Sequence, residues 1–445
     1  MKVNKDLRTI YVIAIINIVL YVLVGGIVVH GDMNSYLEAW NTLKNGSIDR
    51  VRTPVYPFYL GIFKEIFNDS FKLPAAIGQY IVFLYSVCCF YNIANLFRFK
   101  GNTSFWTTLV YSVCPGIFTW GSWMATESLS MSGCIIFVYT MFKLRKRFTY
   151  SVFILHTLTL VSLLFLRPAL IYILVVAGVF WMFYLCKKEM RKQAMAGTVS
   201  VFLASVAILS YMGIYQKQYG IFATTDVGLY NTFYTIRWHG LLHPEEIQNS
   251  SISKDIQKSI NKRGIFITNF HPNEWDERQL PLWQENNYIF KTYPLKEIQS
   301  VIKHSISSHP FGYIASIVYR FDWASSMPLL KFRGKKIWNL KFSDYMCVWD
   351  IISEFFLNFI TFALLYLLIC VYTCILYCRT IHRCISWTSF LIYFIGVSNL
   401  IVAIVGAQND WNRLVAPSLP FYLLIFADLC RYIKIVRPNV TTLKC

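Results

Sequence analysis

The chain has 445 residues, 56% of them hydrophobic and only 15% charged, with a formal net charge of +19 and a mean hydropathy of +0.46. Soluble domains carry roughly 25% charged residues, so an ordinary soluble enzyme is excluded and a polytopic membrane protein is indicated. The positive charge does not imply a nucleic-acid partner, because the basic residues fall in short clusters between apolar runs, as they do in membrane topology.

Apolar runs of spanning length occur at 7–29, 73–97, 104–120, 127–142, 150–166, 170–186, 194–215, 348–378, 385–405 and 414–430. They predict an all-α bundle of about ten transmembrane helices. The first run lacks a small-x-small cleavage pattern, so it reads as a retained helix. Basic residues cluster at alternate junctions: Lys2, Lys5 and Arg8; Arg98 and Lys100; Lys143, Arg145, Lys146 and Arg147; Lys187, Lys188, Arg191 and Lys192; Arg379 and Arg383; Arg431, Lys434 and Arg437. One topology puts all of them in the cytoplasm, with both termini inside a plasma (inner) membrane. The twelve cysteines lie mostly in apolar runs or beside basic clusters, and the stretch 216–346 has none. They read as thiols, not as a disulfide framework.

The chain thus divides into an N-terminal transmembrane module (1–215) with a first outer loop (30–72), an extracytoplasmic segment (216–349), and C-terminal helices with a tail (350–445). In the first loop, Tyr36, Trp40 and Leu43 recur at helical spacing over 36–44, with Asn34 or Ser35 as the expected cap and Asn45-Gly46 as the stop. The apolar stretch 56–67 is too short to span and reads as an interfacial or re-entrant helix. The segment 216–349 combines helix-like pieces such as 295–304 with a strand-like piece near 222–238, so a mixed module packed on the outer face of the bundle is expected.

Ionisable residues converge on that outer face. Asp32 follows the first span and begins a helix, where an ionised carboxylate is favoured and could accept a proton from a hydroxyl. An ordinary capping aspartate would look the same. Arg50 and Arg52, in "RVRTPVYP", lie outside against the charge trend. They suit either two-point phosphate contact or snorkelling. Glu127 starts the fourth run, where ionisable groups are costly and face cavities, or else belong to a helix cap. Arg167, between two spans, is a site residue or a hairpin anchor. "NDWNRLVAPSLP" puts Asp410 and Arg413 at the outer end of the last span, with Pro417 and Pro420 expected to kink it and open space. "HPNEWDE", with His271, Glu274, Asp276 and Glu277, lacks recognised metal-ligand spacing, and His304 and His309 read as surface residues. No glycine-rich nucleotide loop is present.

The stretch "GDMNSYLEAWNTLKNGSIDRVRTPVYPFYLGIF" resembles the first outer loop of membrane glycosyltransferases of the GT-C fold, in the protein-mannosyltransferase-like group that includes the aminoarabinose transferases. The matching positions are Asp32, Tyr36, Ala39, Gly46, Arg52, Pro54, Tyr56 and Pro57, with shorter matches at Glu127 in "ATESLSM" and at Arg413 in "RLVAPSLP". The sequence departs from the pattern at His30-Gly31, where a second acidic residue often stands, and at Leu414, where tyrosine is frequent. The resemblance implies a polyprenyl-phosphate-linked sugar donor, a glycan, lipid or protein acceptor, and surrounding membrane lipids as partners. It implies inversion with Asp32 as the base, Arg52 and Arg413 on the departing phosphate, and Glu127 positioning the acceptor or pairing with an arginine. Tyr36, Arg50, Tyr56, Arg167 and Asp410 would complete the substrate site, and the helix 56–67 would line the lipid's path. It implies no particular cofactor, no metal ligand among these residues, and leaves a divalent metal open. Two other readings remain. An O-antigen or capsule polymerase would keep its key arginines in the large outer segment, and a lipid-linked glycan flippase would carry mid-membrane charges and often inverted repeats. If Asp32 and Arg413 serve one substrate they must share a cavity, within about 15 Å of each other.

Overall fold

A computed structural model describes residues 5–29, 31–97, 102–247, 250–263, 279–327, 329, 360–381, 387–407 and 411–440. In hydrocarbon a chain must satisfy its own N–H and C=O groups, so apolar runs become helices. In order they are α1 (Lys5–Gly25), α2 (Met33–Lys44), α3 (Val55–Phe67), α4 (Lys72–Leu96), α5 (Thr103–Val113), α6 (Pro115–Phe118), α7 (Glu127–Lys146), α8 (Tyr150–Leu166), α9 (Tyr172–Leu185) and α10 (Arg191–Tyr219). The large segment supplies α11 (Val227–Trp238), α12 (Ser250–Arg263), α13 (Gln279–Thr292), α14 (Leu295–Ser308) and α15 (Pro310–Ser325). The chain then continues through α16 (Phe362–Ile381), α17 (Trp387–Gly406), α18 (Trp411–Val415) and α19 (Leu419–Val440).

Among the described residues, 7 helices are long and apolar enough to cross a membrane: Lys5–Leu23, Lys72–Leu96, Pro168–Leu185, Lys188–Tyr219, Phe362–Ile381, Trp387–Gly406 and Arg413–Tyr432. The protein is therefore a helical, polytopic membrane protein. The expected span at 104–120 is not one helix. The chain breaks at Cys114, which is extended (φ −63°, ψ 120°) because Pro115 follows it, and a single turn and a 3-10 turn (Thr119–Ser122) finish the run. The run at 150–166 forms α8, 17 residues long. The run at 127–142 forms α7, whose 20 residues include Lys143, Arg145 and Lys146. This helix packs between α4 and α8 and is the most buried element of the bundle.

The strand-like reading of 222–238 is corrected: that stretch contains α11, and the described residues hold no strand, only an isolated parallel bridge between Val28 and Trp123. Tyr, Thr, Phe, Ile and Trp favour strands only as packing residues. Here Phe233, Ile236 and Arg237 recur at helical spacing and face inward. Phe233 and Ile236 join Leu295, Ile298, Val301 and Ile302 of α14 in a second core, separate from that of the bundle. All regular secondary structure described in the 216–349 segment is thus helical, and α11 and α15 dock it onto α17.

The bundle has two unlike ends. Helix α7 starts at Glu127 and ends among Lys143, Arg145 and Lys146, about 28 Å away at 1.5 Å per residue. Helix α1 likewise ends near Asp32, and α19 leads away from Arg413. The candidate site gathers at one end, and the described basic residues Arg8, Lys143, Arg145, Lys146 and Arg379 lie toward the other.

Candidate active site

The first loop builds the site's front wall. Helix α2 starts with Asp32, not Asn34 or Ser35, in the N-cap position, and the Asp32 side chain caps nothing. It is drawn instead to two arginines. The helix ends at Asn45, and Gly46 takes a left-handed conformation (φ +74°) that reverses the chain. Asp49 then accepts backbone hydrogen bonds from Val51 (2.8 Å) and Arg52 (2.7 Å). This Asx turn aims Arg52 back at α2. Arg52 Nη2 donates to Asp32 Oδ1 at 2.8 Å, its Nε to Ser35 Oγ at 2.9 Å and its Nη1 to the Tyr36 hydroxyl at 3.3 Å. The guanidinium also lies 4.4 Å from the Tyr36 ring centroid. A side chain held at four points is not snorkelling.

The rear wall comes from distant parts of the chain. Arg413, on α18, donates from Nη2 to Asp32 Oδ2 at 3.1 Å, and its Nε lies 2.8 Å from Glu127 Oε1. Arg167 Nη2 stands 3.6 Å from the same oxygen. The result is a continuous row, Arg52–Asp32–Arg413–Glu127–Arg167. Asp32 and Arg413, which had to lie within reach of one substrate, are in direct contact. Each Asp32 oxygen is engaged by a different guanidinium. The front of the row is partly open, with side chains 26% exposed at Asp32 and 18% at Arg52 and Arg413, whereas Glu127 is 1% exposed.

Beneath the row the polar groups are dry. Tyr56 is fully buried and meets Tyr36 edge-on, with ring centroids 4.7 Å apart. Burial pushes both phenols up, and Arg52 only partly offsets this at Tyr36. Both therefore stay neutral at physiological pH. The Tyr56 hydroxyl, Arg167 Nη1 and both Glu127 oxygens have no aligned hydrogen bond. The Arg413 contact to Glu127 is an ion pair that lies off the hydrogen-bond axis, and the Arg167 contact, at 3.6 Å, is an ion pair too long for a hydrogen bond.

Other expected residues lie elsewhere. Arg50, two positions from Arg52, turns away from the row. Its Nε pairs with Asp226 Oδ2 at 2.6 Å, and its Nη2 donates to the Phe290 carbonyl at 2.6 Å. The Arg50 carbonyl accepts from Tyr215 Oη (2.9 Å) and the Asp226 amide (3.2 Å). Arg50 straps the first loop to the large segment. Burial raises the Asp226 carboxyl, with Arg50 pulling the other way. Asp410 and the "HPNEWDE" residues lie outside the described residues. His309 Nε2 meets Glu246 at 3.0 Å, and His304 is exposed. Ser35 and Asp49, which orient Arg52, were not among the expected site residues, although Asp49 just before "RVR" is a visible Asx-turn signal.

Pro417 and Pro420 do what their spacing predicts. The last span breaks into α18, a 3-10 turn (Ala416–Ser418) and α19. Beside the break lies an apolar groove of about 520 Å³, formed by Leu419, Tyr422 and Phe426 of α19 with Leu364, Leu368 and Val371 of α16. It starts six residues beyond Arg413. Chemically, the site pairs a partly exposed carboxylate with two accessible guanidiniums, and none of the row's residues lines the groove. Among the described residues three cations face two carboxylates, a balance that suits an anion. No group of three or more His, Cys, Asp or Glu able to hold a metal occurs among the described residues. Compared with protein-family models, curated proteins and solved structures, the chain matches none.

Proposed function

We propose that this chain is an integral membrane glycosyltransferase that moves a sugar from a polyprenyl-phosphate donor to an acceptor hydroxyl, with inversion at the anomeric carbon. The observation that carries the reading is Asp32 held between Arg52 and Arg413, at 2.8 and 3.1 Å. The donor's phosphate takes the two guanidiniums, which match phosphate oxygens in two-point contact. That exchange releases the Asp32 carboxylate. It then accepts the proton of the acceptor hydroxyl as the hydroxyl oxygen attacks the anomeric carbon. The bond from that carbon to the phosphate oxygen breaks, and the lipid phosphate leaves as an anion stabilised by Arg52 and Arg413. A leaving phosphate needs charge stabilisation more than a proton. The apolar groove between α16 and α19 offers a second route for the lipid chain beside the α3 path expected from the sequence. The distribution of basic residues supports a site on the extracytoplasmic face, with both termini in the cytoplasm.

The polymerase reading requires working arginines in the large segment. Among the described residues, the two buried arginines of that segment are already committed. Arg237 donates to Asn286 at 2.7 Å, and Arg320 donates to the Val405 carbonyl at 2.8 Å. The deciding experiment is Asp32→Asn in membranes supplied with a labelled polyprenyl-phosphate sugar. Loss of transfer with normal expression is expected, and undiminished transfer would sink the mechanism.

A further inference from the structure

A second site lies at the basic end of the bundle, remote from the Asp32 row. Helices α8 and α10 pack side by side, and between their starts runs an open groove of about 460 Å³. Phe148 and Phe153 form one wall and Met195 and Val199 the other, with Arg191 and Lys192 at the rim. The rim cations are exposed and, among the described residues, have no carboxylate at ion-pair distance; Glu189, the nearest acid in sequence, is also exposed. The Lys192 ammonium lies 5.4 Å from the Phe148 ring centroid, which fixes it over the groove's mouth. Below the rim the groove continues as a stripe of exposed apolar side chains on α10. Met195, Val199, Phe202 and Val206 are 55%, 46%, 64% and 46% exposed, at helical spacing.

We propose that this groove is a binding site for an anionic phospholipid of the leaflet at the basic end. An apolar channel that opens along a membrane-spanning helix receives an acyl chain in any bilayer. The charge at its rim decides which lipid stays. Two cations without carboxylate partners hold a headgroup phosphate that has no compensating amine, and hold a zwitterion less well. A basic pocket between transmembrane helices is the usual setting for such recognition. The site does not depend on the proposed transfer reaction.

The test uses the full-length protein, purified in mild detergent and mixed with phosphatidylglycerol or phosphatidylcholine of identical acyl chains. Retained lipid is counted by native mass spectrometry. Wild type is expected to keep phosphatidylglycerol in preference to phosphatidylcholine. The double variant Arg191→Gln/Lys192→Gln is expected to lose about tenfold in phosphatidylglycerol retention, from about 1 kcal/mol per cation with allowance for exposure, and to leave phosphatidylcholine unchanged. Met195→Trp, which fills the groove without altering charge, should lower retention of both. Lys146→Gln/Arg147→Gln, which removes two charges at the same end, should change nothing. Equal retention of the two lipids by wild type, or an equal loss from the Lys146/Arg147 variant, overturns the proposal.

Discussion

Replacing Asp32 by asparagine is expected to abolish transfer and, at the same time, to tighten the binding of a lipid phosphate. In the resting site the Asp32 carboxylate occupies the guanidinium faces that a phosphate would use, through contacts of 2.8 Å to Arg52 and 3.1 Å to Arg413. A phosphate must displace it. Hydrogen bonds to charged groups contribute about 1.5–3 kcal/mol each, but these side chains are 18–26% exposed, so screening reduces that figure. A net gain of about 1–2 kcal/mol for the variant is reasonable, a tightening of roughly 5- to 30-fold. Asparagine keeps the shape, so packing is undisturbed. The assay is calorimetric titration of the purified protein with polyprenyl phosphate alone, at low and high salt. The advantage of the variant should shrink as salt screens the competing charge. If Asp32→Asn binds the lipid phosphate no more tightly than wild type, the carboxylate is not competing for the arginines. The exchange step then fails, even if Asp32 is still needed for transfer.

Three further outcomes follow from the same geometry. Glu127→Gln removes the only carboxylate beside Arg167 among the described residues and strands a buried cation, so thermal unfolding in detergent should show a loss of about 3–5 kcal/mol, and Glu127→Met/Arg167→Met should recover part of it. Arg50→Ala should leave lipid-phosphate binding unchanged while hydrogen exchange in α11 and α13 rises, because Arg50 ties the first loop to Asp226 and Phe290; a binding defect as large as that of Arg52→Ala would return Arg50 to the site. His239 is held down to about 4 by burial and by the nearby Arg320. Its folded value lies below the unfolded value of about 6.5, so the stability it confers is full above that pH and is lost as pH falls toward 4. Stability should fall between pH 6.5 and 4.5 by on the order of 2 kcal/mol after screening, read as a lower melting temperature, and His239→Gln should flatten that slope.

The parts of the site that were legible in the sequence were those fixed by topology. Asp32, Arg52, Glu127, Arg167 and Arg413 stand at junctions of apolar runs, and counting the runs brings all five to one end. What topology cannot separate is Arg50 from Arg52, since both are basic and two residues apart. Their division depends on the turn at Asp49 and on Asp226, which lies 176 positions away and pairs with Arg50 only after the large segment has folded. The strand-like reading of 222–238 failed because its residue types fit any half-buried surface, and only the spacing of Phe233, Ile236 and Arg237 distinguishes the helix. The break at Cys114-Pro115 was available from the proline itself, but a continuous apolar run concealed it. The α16–α19 groove depends on packing between helices far apart in sequence, and of its parts only the two prolines announced it.

The two carboxylates of the row are not equivalent, and burial decides their roles. Glu127 is 1% exposed, in a setting where an arginine cannot be left without its partner except at a cost of several kcal/mol. Asp32 is 26% exposed, and water can replace one of its contacts. Arg413 bridges them with different atoms, Nε toward Glu127 and Nη2 toward Asp32. Its guanidinium can therefore swing Nη2 onto an incoming phosphate while Nε stays with Glu127. In the proposed reaction the buried carboxylate would act as a fixed pivot and the exposed one as the group released. A base held in this way would be freed only when the anion that must later depart has arrived. Under that proposal, acceptor deprotonation before donor binding is disfavoured by the ion pairs themselves.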